Sequence, residues 1–164
     1  MFTKSELKEL EKLLSADWTM KQEGYKIKIF NDKAKDEDEA DETIDVITMQ
    51  IFADDELLYT YSTTKVFDTL EENIKSLIGA IYADDINYRK HYISNYKGAF
   101  LTRKIKSLSI AIAKENTDKV NAINAEIVEK YKQAEKCKNQ LVEFKNLVSL
   151  LYRAKDYMNL NYQN

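Results

Sequence analysis

The residues best suited to chemistry in this chain are carboxylates. From Lys33 the sequence reads KAKDEDEADE, and six of the seven residues from position 36 onward are acidic: Asp36, Glu37, Asp38, Glu39, Asp41 and Glu42. Such a run repels itself and has nothing apolar to bury, so a mobile, exposed loop is expected over 33–42. Asp54, Asp55 and Glu56 form a second acidic group a short strand later, expected to lie beside the first. The run lacks the glycine-punctuated order of an EF-hand loop, so it predicts no metal. Its other chemical use is phosphate mimicry, in which carboxylates take Lys and Arg side chains of a partner. These nine residues are the candidate partner-binding set. The plainer alternative is a solubilising hairpin loop.

Catalytic chemistry has little to work with. His91 is the only histidine and Cys137 the only cysteine, so one chain cannot build a Cys/His zinc site. A Ser-His-Asp arrangement would have to use His91, which sits among Tyr and Lys on a helical pattern. With glycine only at 24, 79 and 98, no phosphate-cradling loop or dinucleotide fingerprint exists. Neither enzyme activity nor a cofactor is expected. Arg89, Lys90, Lys97, Arg103, Lys104 and Lys106, interleaved with Tyr88, Tyr92 and Tyr96, could instead contact phosphates and stack on bases. Tyrosines four apart are also what helix packing produces, and no helix-turn-helix or RNP signature accompanies them. Direct nucleic-acid binding by these six cations is the alternative function.

The charge is strongly divided. Residues 1–86 hold 10 Lys/Arg and 21 Asp/Glu, whereas 87–164 hold 15 and 7, so −11 faces +8 within a net −3. Charge of this kind governs partner choice and encounter more than fold. The 164 residues suffice for one domain or two small ones, and 44% hydrophobic residues can supply a core. The absence of proline favours long helices. MFTKSELKEL has acidic residues and no apolar core, so no signal peptide is expected there, and no run approaches the ~20 apolar residues that span a bilayer. A lone cysteine fits a reducing, cytoplasmic setting.

These groups need a scaffold, and periodicity predicts one. Thr3 and Glu6 form a capping box with Phe2 and Leu7 as staple, opening a helix with Leu7, Leu10, Leu13 and Leu14 on one face and an end near 15–17. Trp18 and Met20 alternate with polar residues, as do Tyr25, Ile27 and Ile29, with a parity switch at Gly24 that predicts a kink before a strand over 25–30. Strands at 44–52 and 57–62 follow, joined by a tight turn at 53–56. Ser62, Thr63 or Thr64 then caps a helix with Phe67, Leu70, Ile74, Leu77, Ile78 and Ile81 on its buried face. A second long helix, with Gly98 as a place to break, carries the stripe Leu101, Ile105, Leu108 and Ile112. After a turn at 115–117, capped by Thr117 or Asp118, a helix over 118–158 runs back along it. Its seam of Val120, Ile123, Ile127, Lys130, Ala134, Cys137, Leu141, Phe144, Val148 and Leu151 is broken only by Lys130. Val142, Leu147 and Leu150 widen it near the C-terminus, where a third element is expected to pack. The expected fold is α+β: a three-stranded antiparallel sheet flanked by helices in an acidic domain over 1–85, then a long antiparallel helical hairpin over 86–164. A monomer is expected, with a homodimer through the long helix as the alternative.

The capped first helix, DWTMKQEGYKIKIF, ETIDVITMQIFADDELLYTYS and the helix VFDTLEENIKSLIGAIYA give an α-β-β-β-α order. That order and its acidity resemble small anti-CRISPR proteins of phages, over about half the chain. The resemblance implies inhibition of an RNA-guided Cas nuclease by occupying the surface that reads target DNA. It also implies action in the host cytoplasm on a basic, nucleic-acid-binding partner.

Overall fold

The computed structural model describes residues 4–15, 25–36, 38–39 and 41–162. The expected capping box and staple at Phe2 and Thr3, the kink at Gly24, and Trp18, Met20 and Glu37 fall outside them. The fold is α+β. In order it comprises α1 (Lys4–Ser15), β1 (Tyr25–Lys35), β2 (Thr43–Ala53), β3 (Glu56–Ser62), α2 (Leu70–Ile81), α3 (Asn87–Asn95), α4 (Leu101–Ala113) and α5 (Thr117–Tyr162), with π-helical turns at Tyr82–Ile86 and Tyr96–Phe100. The chain packs as two compact units, Met1–Tyr82 with Asn146–Asn164, and Ala83–Lys145. The units are therefore not simply the acidic and basic halves, because the last part of α5 goes with the sheet.

In the first unit the sheet is antiparallel in the order β1-β2-β3. Pairing between β1 and β2 runs from Tyr25↔Ala53 to Lys35↔Thr43, so β1 is longer than its apolar alternation suggested. Ile27 and Ile29 alternate with exposed Lys26 and Lys28, and the first two sit opposite Ile51 and Met49. Together with Ile47 and Tyr61 they are buried on one face, as period-2 patterning requires. Helix α1 packs on β1, burying Leu7 and Leu10. Glu11 Oε1 accepts from the Ile29 N–H at 3.2 Å, which satisfies a donor on the edge strand. Buried Thr48 lies with Val46 on the face of β2 opposite Ile47, Met49 and Ile51. Its hydroxyl bonds to Ser62 Oγ at 2.9 Å and to Asp32 Oδ2 at 3.3 Å.

The link from β3 to α2 departs from expectation. Thr69, not Ser62–Thr64, caps the helix, its side chain accepting from Glu72 N–H, so α2 starts three residues after Phe67. Thr63 instead extends the sheet: its N–H donates to Ile47 C=O and its Oγ1 accepts from Ile47 N–H, both at 2.9 Å. Buried Asn73 holds the intervening loop. Its Oδ1 accepts from Phe67 N–H at 2.8 Å, and its Nδ2 donates to the carbonyls of Phe67 and Thr69. Leaving such groups unpaired would cost about 1–3 kcal/mol each. Ile74, Leu77, Ile78 and Ile81 are buried on α2 as expected. The C-terminal part of α5 buries Leu147, Val148, Leu150, Leu151 and Ala154, and Lys155 reaches Glu71 of α2 at 3.6 Å. Val142 does not join that face; it is 58% exposed.

The second unit is the helical hairpin. Its antiparallel pairing is fixed by Lys104 with Glu126, Tyr96 with Tyr131 at 6.3 Å between rings, and Arg89 Nε with Gln140 at 2.9 Å. Asn116, one residue earlier than expected, caps α5 by accepting from Lys119 N–H. Glu115, at φ 53°, makes the reversal. Gly98 does not break the helix but sits in the second π turn. On α5, Ile123, Ala134, Cys137, Leu141 and Phe144 are buried along the expected seam. The opposing stripe is different. Phe100 and Ala111 are buried, while Ile105 and Ile112 are 55% and 58% exposed. The residues facing α5 run Tyr92, Tyr96, Phe100 and Lys104, three steps of four. That exceeds the 3.6-residue period, and the π turn absorbs the extra residue. The stripe expected from Leu101 to Ile112 is thereby rotated off the seam.

The two-residue turn between β2 and β3 sets Asp54 and Asp55 at φ 51° and 66°, the left-handed pair that a type I′ hairpin turn needs. Asp tolerates this region less well than glycine. Asp55→Gly should raise the unfolding free energy by about 0.5–1 kcal/mol, and Asp55→Val should lower it by about 1–2 kcal/mol. Urea denaturation midpoints would check both.

Candidate functional site

The acidic run becomes the tip of the β1–β2 hairpin. Lys33, Ala34 and Lys35 belong to β1, so the loop is shorter than expected, 36–42. Two backbone bonds of 2.9 Å close it, from Asp36 N–H to Glu42 C=O and from Glu42 N–H to Glu39 C=O. Asp36 is half-buried, and its Oδ1 accepts from Asp38 N–H at 3.0 Å, an Asx turn. Asp36 is thus part of the loop's frame. Asp38, Glu39, Asp41 and Glu42 are exposed, and none of the four is in an ion pair among the described residues. On the stem just below, Lys33 and Asp45 sit opposite each other and pair at 2.6 Å. The charge of the stem is offset locally; that of the tip is not.

The second acidic group does not lie beside the first. Asp54, Asp55 and Glu56 turn the chain at the far end of β2. Ten residue steps of strand, roughly 33 Å, separate the two turns. Successive antiparallel hairpins necessarily place their turns at opposite ends of a sheet. Asp55 also has a local partner, Lys26 at 3.4 Å, with both side chains largely exposed. The nine carboxylates therefore resolve into a tip of four exposed groups, a framing Asp36, a separate turn of three, and Glu37 outside the described residues.

The six cations of the alternative also divide. Half-buried Arg89 donates to Asp85 Oδ1 at 2.8 Å and to Gln140, and its guanidinium lies 4.7 Å from the Phe144 ring centre. It forms one wall of a small cleft between α3 and α5 whose floor includes Cys137. Lys104 pairs with Glu126. Both are occupied in holding the hairpin together. Lys90, Lys97, Arg103 and Lys106 are exposed, as is His91. The tyrosines grade from packing to surface: Tyr96 lies 5.8 Å from Phe100, while Tyr88 is 61% exposed. Lys130, which broke the heptad pattern, lays its ammonium over Tyr92 at 5.5 Å and Phe100 at 5.9 Å. A seam lysine opposite four-spaced aromatics was the available signal for that contact.

Comparison of the chain with protein families, with curated proteins and with solved structures finds no match. No helix among the described residues is long and apolar enough to cross a membrane.

Among the described residues, Glu126 and Glu71 titrate below their ordinary value. The hydrogen bond and charge of Lys104, with Arg103 adding, hold Glu126 below its ordinary value of 4.5. Glu71 is lowered in the same way by Lys75 first and then by the charge of Lys155. A carboxylate with a depressed folded value stabilises the fold above its unfolded value, and that contribution disappears as pH falls through the folded one. Stability should therefore decline as pH drops below 4.5. The decline should be shallower in Glu126→Gln, as thermal midpoints measured across acidic pH would show.

Proposed function

We propose that the protein works by binding rather than catalysis, as an inhibitor that sets an acidic tip into a basic groove where a partner protein otherwise holds nucleic-acid phosphates. The observation that carries this is the closed tip at 36–42, with Asp38, Glu39, Asp41 and Glu42 exposed and without ion pairs among the described residues. Carboxylates fixed on a hydrogen-bonded turn meet Lys and Arg without first ordering a flexible chain, which lowers the entropic cost of association. The unit bearing the tip holds 12 Lys/Arg against 20 Asp/Glu, so its long-range field draws a basic surface toward it. An RNA-guided nuclease, the target that the resemblance of residues 1–85 implies, is one partner of this chemistry, and its compartment would be the host cytoplasm. The variant carrying Ser at 38, 39, 41 and 42 should fold normally. The wild type should retain from host extract proteins that double-stranded DNA releases, and the variant should lose them, with association slowed about tenfold or more. Retention of the same proteins by the variant at an unchanged rate would overturn the proposal.

A second reading rests on a different observation. Residues 87–114 contain seven Lys/Arg and no Asp/Glu, and Lys90, Lys97, Arg103 and Lys106 are exposed along α3 to α4. A carboxylate-free helical surface attracts phosphates directly. Fluorescence anisotropy with labelled single and double strands should then show binding that weakens steeply with salt. Removing Arg103 or Lys106 should flatten the log–log salt slope by about one each. No binding at low salt would sink this reading.

A further inference from the structure

The cleft between α3 and α5 gathers hydrogen-bond donors that have no acceptor. Gln133, Lys136, Cys137 and Gln140 recur at steps of three and four, so one stripe of α5 faces α3 across it. On α3 the wall is Tyr88, Arg89 and Tyr92. Arg89 is fixed in place before anything binds. Its Nε donates to Gln140 Oε1 at 2.9 Å, and its Nη1 donates to the carbonyl and Oδ1 of Asp85 at 3.0 and 2.8 Å. Its guanidinium also lies over the Phe144 ring. These bonds leave both hydrogens of Nη2, and the amide nitrogen of Gln140, without an acceptor among the described residues. Lys136 and the hydroxyls of Tyr88 and Tyr92 have no hydrogen bond or ion pair there either. Only 13% of the Arg89 side chain is exposed, and a donor drawn out of water without an acceptor is costly. A ligand that brings oxygens would remove that cost.

We propose that this cleft binds a small organic oxyanion, a carboxylate or a phosphate ester carried on a flat body. Every described residue that lines it can donate a hydrogen bond, two of them are cations, and none is a carboxylate. Asp85 is tied to Arg89, which leaves Lys136 as the charge for an anion to neutralise. Glu129 and Glu143 lie on the same side of α5, one turn beyond Gln133 and Gln140, and Lys132 lies with them. The surroundings are therefore mixed in charge, while the lining itself is positive. An arginine whose plane is already held meets a carboxylate or phosphate without being ordered by it. The rings of Tyr88 and Tyr92, 6.5 Å apart, supply a surface for the flat body, and Tyr88 is 61% exposed. The cleft encloses about 180 Å³, less than drug-sized ligands fill, so its occupant has on the order of ten non-hydrogen atoms. This site goes beyond both functional readings, since neither the acidic tip nor Lys90, Lys97, Arg103 or Lys106 lines it.

Phenyl phosphate and benzoate are suitable probes, with benzyl alcohol as the neutral control. Calorimetric titration of the full chain should give a dissociation constant of about 1 mM or tighter for one or both anions. Cys137 is the only cysteine and forms part of the floor, so a bound anion should slow its alkylation by iodoacetamide about threefold or more. Binding of phenyl phosphate alone identifies a phosphate ester, binding of benzoate alone a carboxylate, and binding of both a site for either oxyanion. Lys136→Gln, at an exposed position, should keep the wild-type circular dichroism and weaken binding about fivefold or more. Lys138→Gln, exposed on another side of α5, should leave binding unchanged. Absence of both heat and Cys137 protection with either anion at about 10 mM would overturn the proposal. So would benzyl alcohol binding as tightly as the anions, or an affinity that Lys136→Gln leaves intact.

Discussion

One stripe of apolar side chains along α5 holds most of this molecule together. A helix of 46 residues, roughly 70 Å long, has no means of stabilising itself in water beyond its own backbone bonds. Its stability comes from burial. Ile123, Ala134, Cys137, Leu141 and Phe144 serve the hairpin unit, and Leu147, Val148, Leu150, Leu151 and Ala154 serve the unit that contains the sheet. Where the stripe must admit Lys130, the aromatic rings of Tyr92 and Phe100 receive its charge. The break in the pattern becomes a contact of about 0.5–1 kcal/mol at an exposed site.

Charge is distributed independently of that scaffold. Many charged groups are engaged locally: Lys33 with Asp45, Arg89 with Asp85, Lys104 with Glu126, and Lys75 and Lys155 with Glu71. The exposed pairs among them contribute little to stability. Their effect is rather to thin the field along the strands and the seam. Among the described residues, the exposed carboxylates of the hairpin tip stand outside these pairs on one unit, and exposed cations line α3 and α4 on the other. Those are the places where a partner of opposite charge would gain most.

The π turn at Tyr96–Phe100 has consequences beyond its five residues. A turn with one extra residue rotates everything that follows by about 100°. Phe100 and Ala111 are brought to the seam, and the Leu101–Ile112 stripe is carried to the flank. Without that turn the stripe would be rotated back toward α5. π turns of this kind tend to be kept where a surface is put to use.

Much of this was legible in the residues alone. Alternation in Tyr25–Phe30 and Ile44–Phe52, the Asp54–Asp55 turn, and the apolar stripes of α2 and α5 are local patterns, because each depends only on which side chains recur at a period of 2 or 3.6. The order of elements and the α+β class follow from them. The four exposed carboxylates of the tip were visible for the same reason, since a run without apolar groups has nowhere to go but outward. Three-dimensional placement decided the rest. Only strand pairing shows that the two acidic groups sit at opposite ends of the sheet, since separation along a chain carries no direction until the strands are laid side by side. Only packing shows that Thr63 joins the sheet while Thr69 caps α2, because both are threonines in a polar stretch and differ solely in what lies within reach. The phase of α4 could not be read from periodicity either. A single π turn shifts it by one residue, and nothing in the spacing of Leu101, Ile105, Leu108 and Ile112 records which of the helix's faces the turn will hand to α5.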